Sequence, residues 1–99
     1  MESVSGVVAR LLRGLGLEDG LRGWRAVAEW PEVVGPQLAR HARAVEYHDG
    51  ALLVEVEGSA WMQEIGFLKR ELAKRINARL GADVVREVRL VPPRGGIRR

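Results

Sequence analysis

Cysteine is absent from all 99 residues, which excludes a disulfide framework, a thiolate metal site and a cysteine nucleophile. Stability must come from packing, and a chain of this length can build one modest core without a covalent or metal staple. Long apolar runs are also missing. No stretch approaches the roughly 20 consecutive apolar residues needed to span a bilayer, and Met1 to Gly6 has no basic region ahead of an apolar one. The expectation is a cytoplasmic protein without membrane contact. Phenylalanine and tyrosine occur once each against three tryptophans, an uneven ratio because indoles are favoured at interface hot spots. Lysine is scarce too. Lys69 and Lys74 are the only two, so arginine carries the excess of 16 basic over 13 acidic residues. The guanidinium fork suits phosphate and carboxylate recognition better than an ammonium does, which points to a nucleic acid or an acidic protein surface.

Catalytic groupings are also lacking. His41 and His48 have no Ser, Asp or Glu at a spacing that suggests a triad or a metal motif. Asp19, Asp49 and Asp83 stand in or beside glycine-bearing turns and read as turn residues. Glu46, Glu55 and Glu57 share one face of an expected hairpin with an arginine facing them, a poor acid/base or metal set. The chain reads as a binding module with no cofactor, and not as an enzyme.

Val4, Val7, Val8, Leu11, Leu12 and Leu15 recur at the spacing of one helix face, and Gly14 and Gly16 end that helix. A second helix begins near Leu17 to Asp19. It is expected to turn Leu21, Trp24, Val27 and Ala28 inward and Arg22 and Arg25 outward. Pro31 should stop or kink it at Trp30, with a restart through Val34. Gly35-Pro36 then opens a short helix over 37–42. Asp49-Gly50 is a strong hairpin signal between strands over 43–48 and 51–57. Its core face is expected to hold Val45, Tyr47, Leu52, Val54 and Val56, with Tyr47 opposite Leu52 and Val45 opposite Val54. Ser59 is placed to cap a long helix over 60–80 whose buried stripe is Trp61, Ile65, Leu68, Leu72 and Ile76, stopped by Gly81. A last strand covers 84–91, with Arg89 on the same side as Glu55.

This order predicts an α+β fold, KH-like, with a three-stranded sheet made of an antiparallel hairpin plus a third strand and helices packed on one face. One domain over 1–92 is followed by a short basic tail over 93–99. The acidic open face of the sheet argues against base stacking there.

Three features bear on binding. Gly20-Leu21-Arg22-Gly23 is a Gly-x-x-Gly string of the kind KH domains use to clamp a nucleic-acid backbone, but its place at a helix start favours capping and helix entry. Phe67 lies far from the buried stripe on a helical wheel, beside Gln63, Arg70 and Lys74. Either it packs beneath the first helix, or it is an exposed aromatic among bases, suited to anchoring a protein partner or stacking on a base. In the second case Arg70, Lys74, Arg10 and Arg13 form a basic patch. The tail adds Arg94, Arg98 and Arg99.

The spacing Trp30-x-x-Val33-Val34-Gly35, Leu38-Ala39-x-His41-Ala42, Asp49-Gly50-x-Leu52-x-Val54-x-Val56 and Ser59-Ala60-Trp61-x-Gln63-Glu64 resembles the DciA family of bacterial replicative-helicase loaders. Leu68, Leu72, Asn77, Leu80-Gly81 and the last strand extend the likeness over nearly the whole chain. The resemblance implies a KH-like fold, binding to the hexameric replicative DNA helicase, affinity for DNA with single-stranded character, and a role in placing the helicase at the start of replication. Trp61, Gln63 and Glu64 fall on the family's Trp-x-Gln-Glu motif and are the residues the resemblance assigns to the helicase contact, with Phe67 beside them. The alternative is a KH-like RNA or single-stranded DNA binder that acts without helicase. A third possibility is an oligomeric scaffold.

Overall fold

The computed structural model describes residues 6–7 and 17–93. The elements are α1 (Leu17–Val34), α2 (Pro36–Ala39), β1 (Ala42–His48), β2 (Ala51–Val56), α3 (Ser59–Gly66), α4 (Lys69–Leu80) and β3 (Glu87–Val91). The strands form one sheet in the order β1-β2-β3, with β1 antiparallel and β3 parallel to the central β2. A parallel neighbour needs a long crossover, and α3 with α4 supplies it. Along β2, Leu52, Val54 and Val56 are buried while Ala51, Leu53 and Glu55 are only partly covered. The sheet therefore has one packed face and one open face, as the α+β, KH-like expectation requires. Of the helix expected over 4–15, Gly6 and Val7 are helical and the rest lies outside the described residues.

Asp49 and Gly50 have φ values of 50° and 87°, the two positive angles that a two-residue hairpin turn of the primed type demands. Tyr47 pairs with Leu52 as expected, but the register shifts between Ala44 and Glu46. Ala44 is therefore the residue opposite Val54, and the expected pairing of Val45 with Val54 is wrong. The bulge moves Val45 to a half-buried position and places Ala42 and Ala44 in the core. These small side chains suit the neighbouring Trp30, whose indole Nε1 donates to the Ala42 carbonyl at 3.0 Å. Trp30 is 1% exposed.

The inward face of α1 also differs from the expectation. Gly23, Ala26, Trp30 and Val34 are buried, whereas Leu21, Trp24 and Ala28 are exposed. Close approach decides this: a Cβ built on Gly23 would collide with the Tyr47 ring, so only glycine lets the helix settle on β1 there. The Gly20 to Gly23 string thus lies inside α1 as a packing device. Nor does Pro31 end the helix, which continues to Val34 with Gly35 N–H donating to the Pro31 carbonyl at 3.0 Å. Gly35, at φ 90°, makes the turn into α2.

The helix expected over 60–80 is two helices. Phe67 and Leu68 form a turn after Gly66, and Leu68 at φ −101° and ψ 3° leaves helical geometry before α4 begins. Ser59 does not cap α3. Gly58, with φ 87°, occupies that position, and Met62 N–H donates to its carbonyl at 3.0 Å. Ile65, Leu72 and Ile76 are buried as expected, with Trp61 and Leu68 half-buried. Gly81 ends α4 in the left-handed conformation, φ 75°.

β3 starts at Glu87, three residues later than expected. Val84 and Val85 are buried but not part of the strand, because their backbone groups are satisfied by side chains. Asn77 Oδ1 accepts from Val84 N–H at 3.0 Å and Val85 N–H at 2.8 Å, and its Nδ2 donates to the Val85 carbonyl at 2.8 Å. Tyr47 Oη donates to the Val84 carbonyl at 3.0 Å.

Candidate functional site

A groove of about 370 Å³ runs between α4 and β3. Lys69, Arg70 and Lys74 stand on its helical wall, and Arg86 approaches from the other side. Ala73, Val85 and Val88 line it between them. The helical period explains the wall: about 100° per residue brings positions 69, 70, 73, 74 and 77 to one side of α4 while Leu72 and Ile76 turn to the core. Among the described residues, Lys69, Arg70 and Lys74 have no ion-pair partner. Arg86 is anchored, its guanidinium donating to the Asp49 carbonyl at 3.0 Å and lying 3.6 Å from the Asp49 carboxylate in an exposed ion pair. Glu87, the one acidic residue among the described residues that line the groove, is held by Arg89 at 3.0 Å. The result is a depression with free positive charge on its wall and an apolar lining, which suits a flexible polyanion.

Phe67 occupies the turn directly ahead of Lys69 and Arg70 and is 80% exposed. The first helix, beneath which Phe67 is alternatively expected to pack, lies outside the described residues except for Gly6 and Val7. Gln63 and Glu64 are exposed on α3, one turn before it. Trp61 is half-buried against the core and stacks on His41, ring centroids 4.3 Å apart and planes 12° from parallel.

The opposite face of the sheet carries Glu46, His48, Leu53, Glu87 and Arg89 around a shallow depression, with Arg43 and Glu55 paired at 3.5 Å nearby. Its charges are mixed, with Glu46, Asp49 and Glu87 against Arg89, so it offers no positive track. Among the described residues no group of three or more His, Asp or Glu is placed to hold a metal ion. No described helix is long and apolar enough to cross a membrane.

Of the residues singled out from sequence, Arg70 and Lys74 meet in the groove, with Phe67 in the turn that precedes it. Trp61, Gln63 and Glu64 share α3. Arg10, Arg13, Arg94, Arg98 and Arg99 lie outside the described residues. Sequence reasoning missed Lys69 and Arg86. The spacing of Lys69 to Arg70 and Lys74 held a signal on the helical wheel, but only tertiary structure brings Arg86 to them, across a loop whose path depends on Asn77.

The family model for DciA, described as Dna[CI] antecedent, matches residues 3–90. Among curated proteins, a UPF0232 protein of Mycobacterium tuberculosis is 35% identical over 79 residues, 73% of this chain and 42% of the relative. One from Mycolicibacterium paratuberculosis is 36% identical over 93 residues, 87% of this chain and 50% of the relative. Another from Corynebacterium glutamicum is 24% identical over 92 residues, 93% of this chain and 52% of the relative. The chain thus spans about half the length of the curated relatives it matches, or somewhat less. With a family model covering most of its length, and a fold in which Trp30, Val54, Val56, Trp61 and Asn77 each hold a defined structural place, the chain belongs to the DciA family.

Proposed function

We propose that this protein is a non-catalytic replication factor that binds the hexameric replicative DNA helicase and assists its loading on DNA, with weak DNA binding of its own. Family membership over residues 3–90 carries the helicase part. The cationic groove between α4 and β3 supports the DNA part, and the sequence adds Arg10, Arg13, Arg94, Arg98 and Arg99, which lie outside the described residues, as further candidates for contact with DNA. Gln63 and Glu64 offer exposed polar groups on α3 to a protein partner, and the rim of Trp61 lies beside them. The test is capture of the cognate replicative helicase by the purified protein, together with a helicase-loading assay on a DNA bubble. Stoichiometric capture and faster loading are expected. Absence of both would overturn the proposal.

The groove also favours a second reading, a nucleic-acid-binding domain that acts without helicase. The same pair of assays separates them: tight, steeply salt-dependent binding to nucleic acid with no capture of helicase selects the second.

A further inference from the structure

Phe67 is 80% exposed, yet it sits where an exposed phenylalanine has the least structural use, in a turn that leaves it outside the core. Its chain neighbours are Lys69 and Arg70, and one turn further on Lys74, all free of ion pairs among the described residues. We infer that Phe67 and the α4–β3 groove together form a site for single-stranded nucleic acid, in which an unpaired base stacks on the Phe67 ring while Lys69, Arg70, Lys74 and Arg86 hold successive phosphates. The inference rests on the nucleic-acid part of the proposed function and takes Phe67 out of the helicase contact.

The chemistry favours a single strand over a duplex. In a duplex both faces of each base are already stacked, so an aromatic ring beside the backbone gains nothing from it. An unpaired base has a free face, and stacking is tolerant of sequence because every base has one. The groove supplies what stacking alone lacks. Cations on its helical wall track a flexible backbone, and Ala73, Val85 and Val88 place no carboxylate where a phosphate would sit. Two carboxylates lie near the groove: Glu87, which is paired with Arg89 at 3.0 Å and shares the open face of the sheet with it, and Asp49, which is paired with Arg86 at 3.6 Å where both are exposed. The open face of the sheet is the poorer candidate, since its depression carries three carboxylates, Glu46, Asp49 and Glu87, against the single guanidinium of Arg89.

The experiment is fluorescence anisotropy with labelled oligo-dT and oligo-rU of about ten nucleotides and a duplex of equal length, over a range of salt. Four proteins are compared: the parent, Phe67→Ala, Lys74→Glu and Arg75→Glu. Arg75 lies on a different side of α4, paired with Glu71 at 3.4 Å, so its variant makes a comparable charge reversal away from the groove. Phe67→Ala should weaken single-strand binding about tenfold and leave duplex binding nearly unchanged. Lys74→Glu should weaken both and lower the salt exponent on single strands by about 0.7 or more. Arg75→Glu should lose far less. The better bound of oligo-dT and oligo-rU identifies the ligand. Equal losses for Lys74→Glu and Arg75→Glu, or a Phe67→Ala protein that binds single strands like the parent, would overturn the site. Helicase capture is measured on the same four proteins. If the parent captures helicase and Phe67→Ala alone loses it while still binding oligo-dT, Phe67 belongs to the protein interface and the inference fails while the helicase proposal stands.

Discussion

His41 and Trp61 lie face to face, their ring centroids 4.3 Å apart and their planes 12° from parallel. The stack links the segment leading into β1 to the first turns of α3, and the same segment is tied back when Glu57 N–H donates to the His41 carbonyl at 3.0 Å. An offset or stacked ring pair contributes about 0.5 to 1.5 kcal/mol beyond its buried area. Trp61→Ala should therefore destabilise the domain by about 2 to 3 kcal/mol, less than the roughly 3 to 5 of a fully buried indole because one edge is in solvent. A double-mutant cycle with His41→Ala, read by urea unfolding, should return a coupling of about 0.5 to 1.5 kcal/mol. A Trp61→Ala protein that is as stable as the parent but no longer captures helicase would instead make the residue purely an interface group.

The two glycines of α1 should respond oppositely to alanine. At Gly20 nothing lies within 4 Å of a built Cβ, so Gly20→Ala should stabilise by about 0.5 to 1 kcal/mol through helix propensity. At Gly23 the Cβ meets the Tyr47 ring, and Gly23→Ala should cost about 1 to 3 kcal/mol despite the same propensity gain. Thermal melts of the two variants check both signs at once.

Asn77 holds the loop between α4 and β3 through three hydrogen bonds. Asn77→Ala removes the side-chain partner of the N–H and carbonyl of the buried Val85, while Val84 N–H keeps its bond to the Ala82 carbonyl at 2.9 Å, at a cost of about 1 to 3 kcal/mol. Hydrogen exchange at Val84 and Val85 should accelerate well beyond that of β2. Asn77→Asp retains acceptors for the two N–H groups but loses the donor to the Val85 carbonyl, and should fall between the two. Because this loop carries Arg86 to the groove, both variants should weaken single-strand binding as well.

The tryptophans of α1 are predicted to behave differently although they are six residues apart. Trp24 is 63% exposed, and Trp24→Ala should change stability by no more than about 0.5 kcal/mol. Trp30 is 1% exposed and donates to the Ala42 carbonyl, so Trp30→Ala should cost at least about 3 to 5 kcal/mol. Fluorescence offers an independent check: an emission maximum typical of water should belong to Trp24, and a blue-shifted one to Trp30.

Local chemistry made several elements legible in the sequence. The Asp49-Gly50 turn needs two positive φ angles, which that dipeptide tolerates, and so the hairpin followed. Gly81 stops α4 for the same reason, and the apolar period of Ile65, Leu72 and Ile76 marks the core side of the crossover. Arg70 and Lys74 were recognisable as surface because they fall off that period, whereas for Phe67 the same period left open whether it packs beneath the first helix or is exposed. Other features depend on contacts between distant residues. The bulge at Val45 puts Ala42 and Ala44 on the core side ahead of it while Tyr47 stays opposite Leu52, and nothing in the alternation of residues 42–48 signals it. The face of α1 was misread because apolar Leu21, Trp24 and Ala28 look like a core stripe, whereas the helix is pulled onto β1 by the fit of Gly23 to Tyr47 and of Trp30 to Ala42.

By itself the sequence determined the family, the α+β order of elements, the hairpin and the cationic character of α4, all of which are written in neighbouring residues or in periods of a few residues. Tertiary structure decided which side of α1 is buried, where the long helix breaks, and that Arg86 joins Lys69, Arg70 and Lys74 across one groove. The physical reason is the same in each case: these outcomes turn on steric fit and hydrogen bonds between residues far apart in the chain, such as Gly23 with Tyr47, and no local preference encodes them.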